Sequence, residues 1–120
     1  MKVKFWGVRG SIATPGKSTV KYGGNTSCIE VRVGNRLIVL DCGTGMRALS
    51  GALLQEKYTG RIDILVSHTH WDHIQGFPFF APIFIPGSEV HVWGPMQDQK
   101  SFQEVMKSQM SYSYFPVESM

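Results

Sequence analysis

No apolar run in this 120-residue chain approaches the roughly 20 residues that a membrane-spanning helix needs, so no membrane partner is expected. Cysteine is scarce. Cys28 and Cys42 are too few for a disulfide framework, and both are read as reduced and structural. Strand alternation from a hairpin turn at Gly34-Asn35 pairs Cys28 with Asp41 and puts Cys42 on the opposite face. Lys and Arg form no block, and the net charge of +3 tolerates an anionic substrate without identifying one. Repeats, low-complexity tracts and linkers are absent too. The opening residues alternate like a strand and lack the apolar core of a signal peptide, so the expected location is cytoplasmic. What remains is the composition of one small globular domain: 42% hydrophobic, 18% charged.

Lys2 to Val8 alternates polar and apolar and predicts a half-buried strand. Arg9 to Gly24 is a loop rich in Gly, Ser, Thr and Lys, long enough to suggest a function. Ser27 to Val33 and Arg36 to Asp41 form the hairpin, and Leu37 to Leu40, apolar throughout, predicts a strand covered on both faces. Asp41-Cys42-Gly43-Thr44-Gly45 breaks that strand. A helix is predicted from Met46 to Lys57, with Gly60 as a C-terminal cap, then a strand from Ile62 to Val66. Phe77 to Pro86 holds three prolines and reads as a hydrophobic loop, Glu89 to Trp93 as a strand, and Asp98 to Met110 as a helix. Strands before and after helices indicate a layered α/β architecture.

The densest chemistry is Ser67-His68-Thr69-His70-Trp71-Asp72-His73, which leaves the end of the Ile62 strand. Three of the four histidines of the chain lie in this loop, a clustering that packing does not explain. His68 and His70, two apart in extended chain, can turn both imidazoles to one side, and Asp72 with His73 could serve a second ion. Two metals roughly 3.5–4 Å apart can share a bridging hydroxide and supply a nucleophile at neutral pH. Each tetrahedral ion asks for about three protein ligands, so other segments must complete the site. His91, between Val90 and Val92 in a strand, reads as structural.

His68-Thr69-His70-Trp71-Asp72-His73 resembles the His-x-His-x-Asp-His signature of the metallo-β-lactamase superfamily, and Asp41-Cys42-Gly43 resembles its earlier Asp-x-Gly element. Phe5-Trp6-Gly7-Val8-Arg9-Gly10-Ser11 and Gly23-Gly24-Asn25-Thr26-Ser27 are similar to the opening of the phosphodiesterase-like branch, which includes ribonuclease Z-like and PhnP-like enzymes. The resemblance implies an α/β fold, the first half of an αβ/βα sandwich, with a mixed, mostly antiparallel sheet and helices on one face. It implies two divalent metals, zinc first, with manganese or iron as alternatives. His68 and His70 would bind the first metal, Asp72 and His73 the second. Asp72 would also handle a proton, and Asp41 would orient the loop by hydrogen bonds. A carboxylate capping the turn into the following helix is an equal and compatible reading of Asp41. The implied activity is hydrolysis of a phosphoester, small or nucleotide-like, by a metal-bridging hydroxide.

The same resemblance implies a third histidine for the first metal, a bridging aspartate and a last histidine for the second, all beyond the matched region. After His73 only His91 and Asp98 remain, neither in a matching context. Residues 1–120 are therefore expected to form a single incomplete domain, an N-terminal half whose tail Ser113 to Val117 resembles the lead-in to the second half. Alone it should be inactive or weakly active. A strand apolar on both sides then needs cover from a missing half, another protein or a second copy, and self-association is expected. Arg9, Lys17 and Lys21 could reach a phosphate near the metal site but read first as solvated loop charge, and Phe77, Phe79, Phe80 and Phe84 could line a substrate pocket but read first as packing over the sheet edge. Trp71 could wall the site or pack beneath the loop. The alternatives are a non-catalytic metal-binding or assembly module docking a partner through its open sheet face, and a redox use of the fold with iron. The substrate contacts are not legible.

Overall fold

The computed structural model describes residues 1–96, 101–111 and 113–115. Five strands form one sheet in chain order: β1 (Lys2–Gly7), β2 (Cys28–Val33), β3 (Arg36–Leu40), β4 (Ile62–Leu65) and β5 (Val90–Trp93). β1, β2 and β3 pair antiparallel, with Val33 opposite Arg36 across a turn whose Gly34 takes φ 60°, a left-handed conformation natural to glycine. β3, β4 and β5 pair parallel. Parallel neighbours need a crossover, and helix α1 (Gly45–Glu56) supplies it between β3 and β4. The sheet is thus mixed, as expected, with two antiparallel and two parallel pairings.

Alternation along the strands sorts the side chains. Leu37, Val39, Ile62 and Ile64 point to one face and are buried against Met46, Leu49 and Leu53 of α1. Phe80 completes that core with no exposed surface, and each such side chain stabilises the fold by about 1.5–3 kcal/mol through apolar burial. The opposite face carries a row that crosses all five strands in register: Phe5, Ile29, Leu40, Leu65 and Trp93. Phe5 is 65% exposed and Trp93 53%, so this row is apolar and open, with Asp63 and His91 beside it on the same face, while the helices cover the other. β3 is apolar on both sides for that reason: Leu37 and Val39 are buried, Ile38 and Leu40 half-buried.

Local departures from the sequence reading have physical causes. Asp41 takes φ 65°, which ends the alternation of β3 and swings Cys42 back into the core. Cys28 and Cys42 therefore share one buried cluster, with free thiols, where alternation alone placed them on opposite faces. Burial, with Asp41 and Glu30 nearby, pushes the Cys28 thiol up to about 12, so neither reads as a nucleophile at neutral pH. Helix α1 ends at Glu56, and its cap is Lys57 rather than Gly60; Lys57 adopts φ 57°, and its amide bonds back to the Leu53 and Leu54 carbonyls. The Phe77–Pro86 stretch folds into two short 3-10 turns, Phe77–Phe79 and Ala81–Phe84. A one-turn helix α2 (Trp71–Ile74) lies within the histidine loop, and α3 (Phe102–Ser108) starts at Ser101, whose hydroxyl accepts from the Glu104 amide at 3.2 Å. Asp98 and the Pro116-Val117 end of the tail lie outside the described residues. No helix among the described residues is long and apolar enough to cross a membrane.

Candidate metal centre

β3 and β4 run parallel side by side, so their carboxyl ends open at the same edge, the position where open α/β sheets place ligands. Asp41 leaves β3 there, and Val66-Ser67 leave β4. The Asp41 amide donates to the Leu65 carbonyl at 2.9 Å, prolonging the pairing by one residue. Its side chain, 8% exposed as a residue, is fully engaged. Oδ1 accepts from the Ser67 amide at 2.7 Å, both carboxylate oxygens accept from the Ser67 hydroxyl at 3.0 and 2.9 Å, and Oδ2 meets His73 Nδ1 at 2.9 Å. The capping alternative for Asp41 is not what is observed: Thr44 precedes α1 and bonds instead to Thr26 and Asn25.

The histidine loop folds back over the Asp41-Cys42-Gly43 turn through backbone bonds. Cys42 N donates to His73 O at 2.8 Å, Gly76 N to Cys42 O at 2.8 Å, and Gly43 N to Ser27 O at 2.7 Å. Glycine is required where these segments touch. A Cβ on Gly76 would lie 2.0 Å from the Gly43 carbonyl oxygen, and one on Gly43 would lie 2.5 Å from the Asp72 carbonyl oxygen. Gly76→Ala must push backbone against backbone, and thermal or chemical denaturation is expected to show a loss of about 1–3 kcal/mol.

These bonds bring the four predicted ligands together. The His68 ring centroid lies 4.0 Å from that of His73 and 4.6 Å from that of His70, the latter edge-on. His73 Nε2 is 3.2 Å from Asp72 Oδ2. Asp72 Oδ2 also accepts from the Ser11 amide at 3.0 Å, which ties the long N-terminal loop to the centre. Burial raises the Asp72 pKa, but the Ser11 hydrogen bond and the neighbouring His73, its own amide and His68 outweigh it. The net direction is down, so the carboxylate is ionised at neutral pH.

The donor chemistry fits a divalent ion in part. A neutral imidazole has one N–H, and with Nδ1 of His73 directed at Asp41, its Nε2 presents a lone pair beside a carboxylate oxygen. Two donors bound to one tetrahedral ion at about 2.0–2.1 Å stand roughly 3.3 Å apart, close to the 3.2 Å between His73 Nε2 and Asp72 Oδ2. Among the described residues no group of three or more His, Cys, Asp or Glu side chains is arranged to hold an ion. The loop supplies one donor pair at ligand spacing, with His68 and His70 beside it, rather than a closed site.

Other residues fall where packing puts them. His91 lies on the open sheet face beside Glu89, away from the loop. Trp71 is 69% exposed, so it stands at the rim and does not pack beneath the loop. Phe80 is core, whereas Phe79 is exposed and meets Phe115 edge-on at 5.6 Å. Arg9, Lys17 and Lys21 are exposed, Lys21 over the Tyr22 ring. Two contributors had no role in the sequence reading: the Ser11 amide and the Ser67 hydroxyl. Ser67 could have been found from its place directly before His68; a backbone amide leaves no signal in the sequence.

Comparison with known proteins follows the same outline. The crystal structure of human tRNase Z, short form (ELAC1), superposes with a TM-score of 0.59 at 24% identity, covering 96% of this chain and 40% of that one. A Thermotoga maritima protein described as a metallo-beta-lactamase matches at 21% identity with a TM-score of 0.42, over 66% of this chain and 39% of that one. The chain thus spans about two fifths of the length of these structures. No curated protein matches it. The profile of the Metallo-beta-lactamase superfamily matches residues 22–92, more than half the chain and every residue from the hairpin through the histidine loop to β5. The chain belongs to the metallo-beta-lactamase superfamily.

Proposed function

We propose that residues 1–120 form the N-terminal half of a metal-dependent hydrolase domain whose substrate is a phosphoester. The observation that carries this reading is that His68, His70, Asp72 and His73 stand as successive neighbours in one loop at the carboxyl ends of β3 and β4. His68 and His70 would hold one divalent ion, Asp72 and His73 a second, with zinc the first choice and manganese or iron also compatible with mixed imidazole and carboxylate donors. Such ions supply Lewis-acid charge stabilisation to a displacement at phosphorus. The residues of the chain do the positioning: Asp41 orients His73, and the Ser11 amide pins Asp72 Oδ2 and favours its charged form. The phosphoester assignment rests on the two opening segments that resemble the phosphodiesterase-like branch. They lie against each other, Arg9 N on Asn25 O at 3.0 Å, and one of them touches Asp72 through Ser11. Exposed Arg9, Lys17 and Lys21 in that loop suit an anionic, nucleotide-like substrate. The fold neighbour is a tRNase by name; at 24% identity the likeness concerns the fold, and RNA becomes one phosphodiester to assay.

With donor pairs in place of complete sites, the chain alone would turn over little. The open row from Phe5 to Trp93 would be covered by a second segment or a second copy, in the cytoplasm. That same row favours the rival reading, an assembly module that holds one structural metal. Metal content per chain, molar mass by light scattering and hydrolysis of a chromogenic phosphodiester distinguish the two. Near two metals per chain in an assembly, with hydrolysis that rises and falls with the metal, is the expected result. One metal that stays bound in a fully loaded assembly without turnover would overturn hydrolysis in favour of the module.

A further inference from the structure

We infer that Ser67 is a positioning residue, relaying the fixed charge of Asp41 to His68 and so selecting which nitrogen of His68 is left as a metal donor. This rests on the reading of the loop as a metal centre, but its first test does not need metal. An ionised carboxylate only accepts hydrogen bonds, and a serine hydroxyl has one proton to donate and lone pairs with which to accept. Ser67 Oγ lies 3.0 and 2.9 Å from the two Asp41 oxygens and 3.1 Å from His68 Nδ1. The Asp41 carboxylate has no proton for Ser67, so the hydroxyl donates to Asp41 and accepts from His68 Nδ1–H. Nε2 of His68 is then the lone-pair nitrogen.

The same carboxylate receives Nδ1 of His73 directly at 2.9 Å. One buried side chain therefore orders two histidines, His73 by contact and His68 through one hydroxyl, and these two are assigned to different ions. Their rings, with centroids 4.0 Å apart, are held in a fixed mutual orientation by a common anchor rather than by each other. The Ser67 amide, at 2.7 Å from Asp41 Oδ1, holds the backbone at this point whatever the side chain, so the hydroxyl can be removed without releasing the strand end. Ser67 is exposed as a residue, so Ser67→Thr keeps the hydroxyl and has room for a methyl group.

Long-range nitrogen–proton NMR on the metal-free protein at mildly alkaline pH reads the tautomer of each histidine. Wild type and Ser67→Thr are expected to show His68 protonated on Nδ1; Ser67→Ala should lose that preference while His73 keeps its own. Zinc affinity, measured by competition with a chromophoric chelator, should fall roughly tenfold or more in Ser67→Ala and stay within about twofold in Ser67→Thr, the range expected for partners of metal-bound histidine. His68 protonated on Nε2 in the wild type overturns the relay by itself, even if Ser67→Ala does not fold. So does an unchanged tautomer in a folded Ser67→Ala, or a Ser67→Thr that behaves like alanine. If the wild type shows the Nδ1 tautomer yet takes up no zinc, the relay stands and the metal-centre reading fails.

Discussion

Asp41→Ala is expected to cost roughly 3 kcal/mol of stability and to disorder the histidine loop, a larger effect than any other single substitution outside the apolar core. Three donors lose their acceptor at once: the Ser67 amide, the Ser67 hydroxyl and His73 Nδ1. A part-buried donor stripped of its partner costs about 1–3 kcal/mol, tempered here because Ser67 is exposed and water can reach it. Backbone strain adds to this. Asp41 holds φ 65°, a conformation that aspartate and asparagine tolerate through local hydrogen bonding and alanine does not, at a cost of about 1–2 kcal/mol. Asp41→Asn separates the two contributions. It keeps the backbone preference and the shape but turns one oxygen into a donor facing Ser67 or His73. Denaturation midpoints should rank wild type above Asn and Asn above Ala. Equal stability of Ala and wild type would show that the carboxylate does not anchor the loop.

Asp72→Asn should have the second large effect, on metal rather than on the fold. Its carboxylate is one of the two donors that stand 3.2 Å apart, and its charge is held by Ser11 and the neighbouring histidines. An amide in its place keeps one neutral oxygen and loses the charge. Loss of a partner behind a ligand commonly weakens metal binding about 10–100-fold, so loss of the ligand charge itself should reach at least the upper end. Stability of the metal-free protein should change little, since the Ser11 amide can still find an oxygen. Isothermal titration with zinc and a melting curve without it check both halves. A loss of fold with intact metal affinity would assign Asp72 to structure.

The histidine loop was legible because its signal is local. Four donors in one short run have few structural uses, and the strand before it fixes where they emerge. The strands were legible from alternation, and the open face from β3 being apolar on both sides. Non-local geometry was harder to read. Asp41 was placed as an orienting residue by resemblance, but its partners Ser67 and His73 lie more than twenty residues downstream, and the parallel pairing of β3 with β4 brings the strand ends together. Cys42 was misplaced because a single positive φ at Asp41 reverses the alternation, and no side-chain pattern announces that. Lys57 took the left-handed cap position three residues before Gly60, and no side-chain pattern announces a lysine there.

A half of a two-metal centre at residues 67–73 must bind metal through His68 and His73. A cobalt(II) titration followed by visible absorption tests it most directly, run on the wild type and on a His68→Ala/His73→Ala double variant whose fold is checked by circular dichroism. Ligand-field bands are expected to grow and saturate for the wild type and to be absent from the folded variant. Bands of equal intensity in both proteins, or none in the wild type, would contradict it.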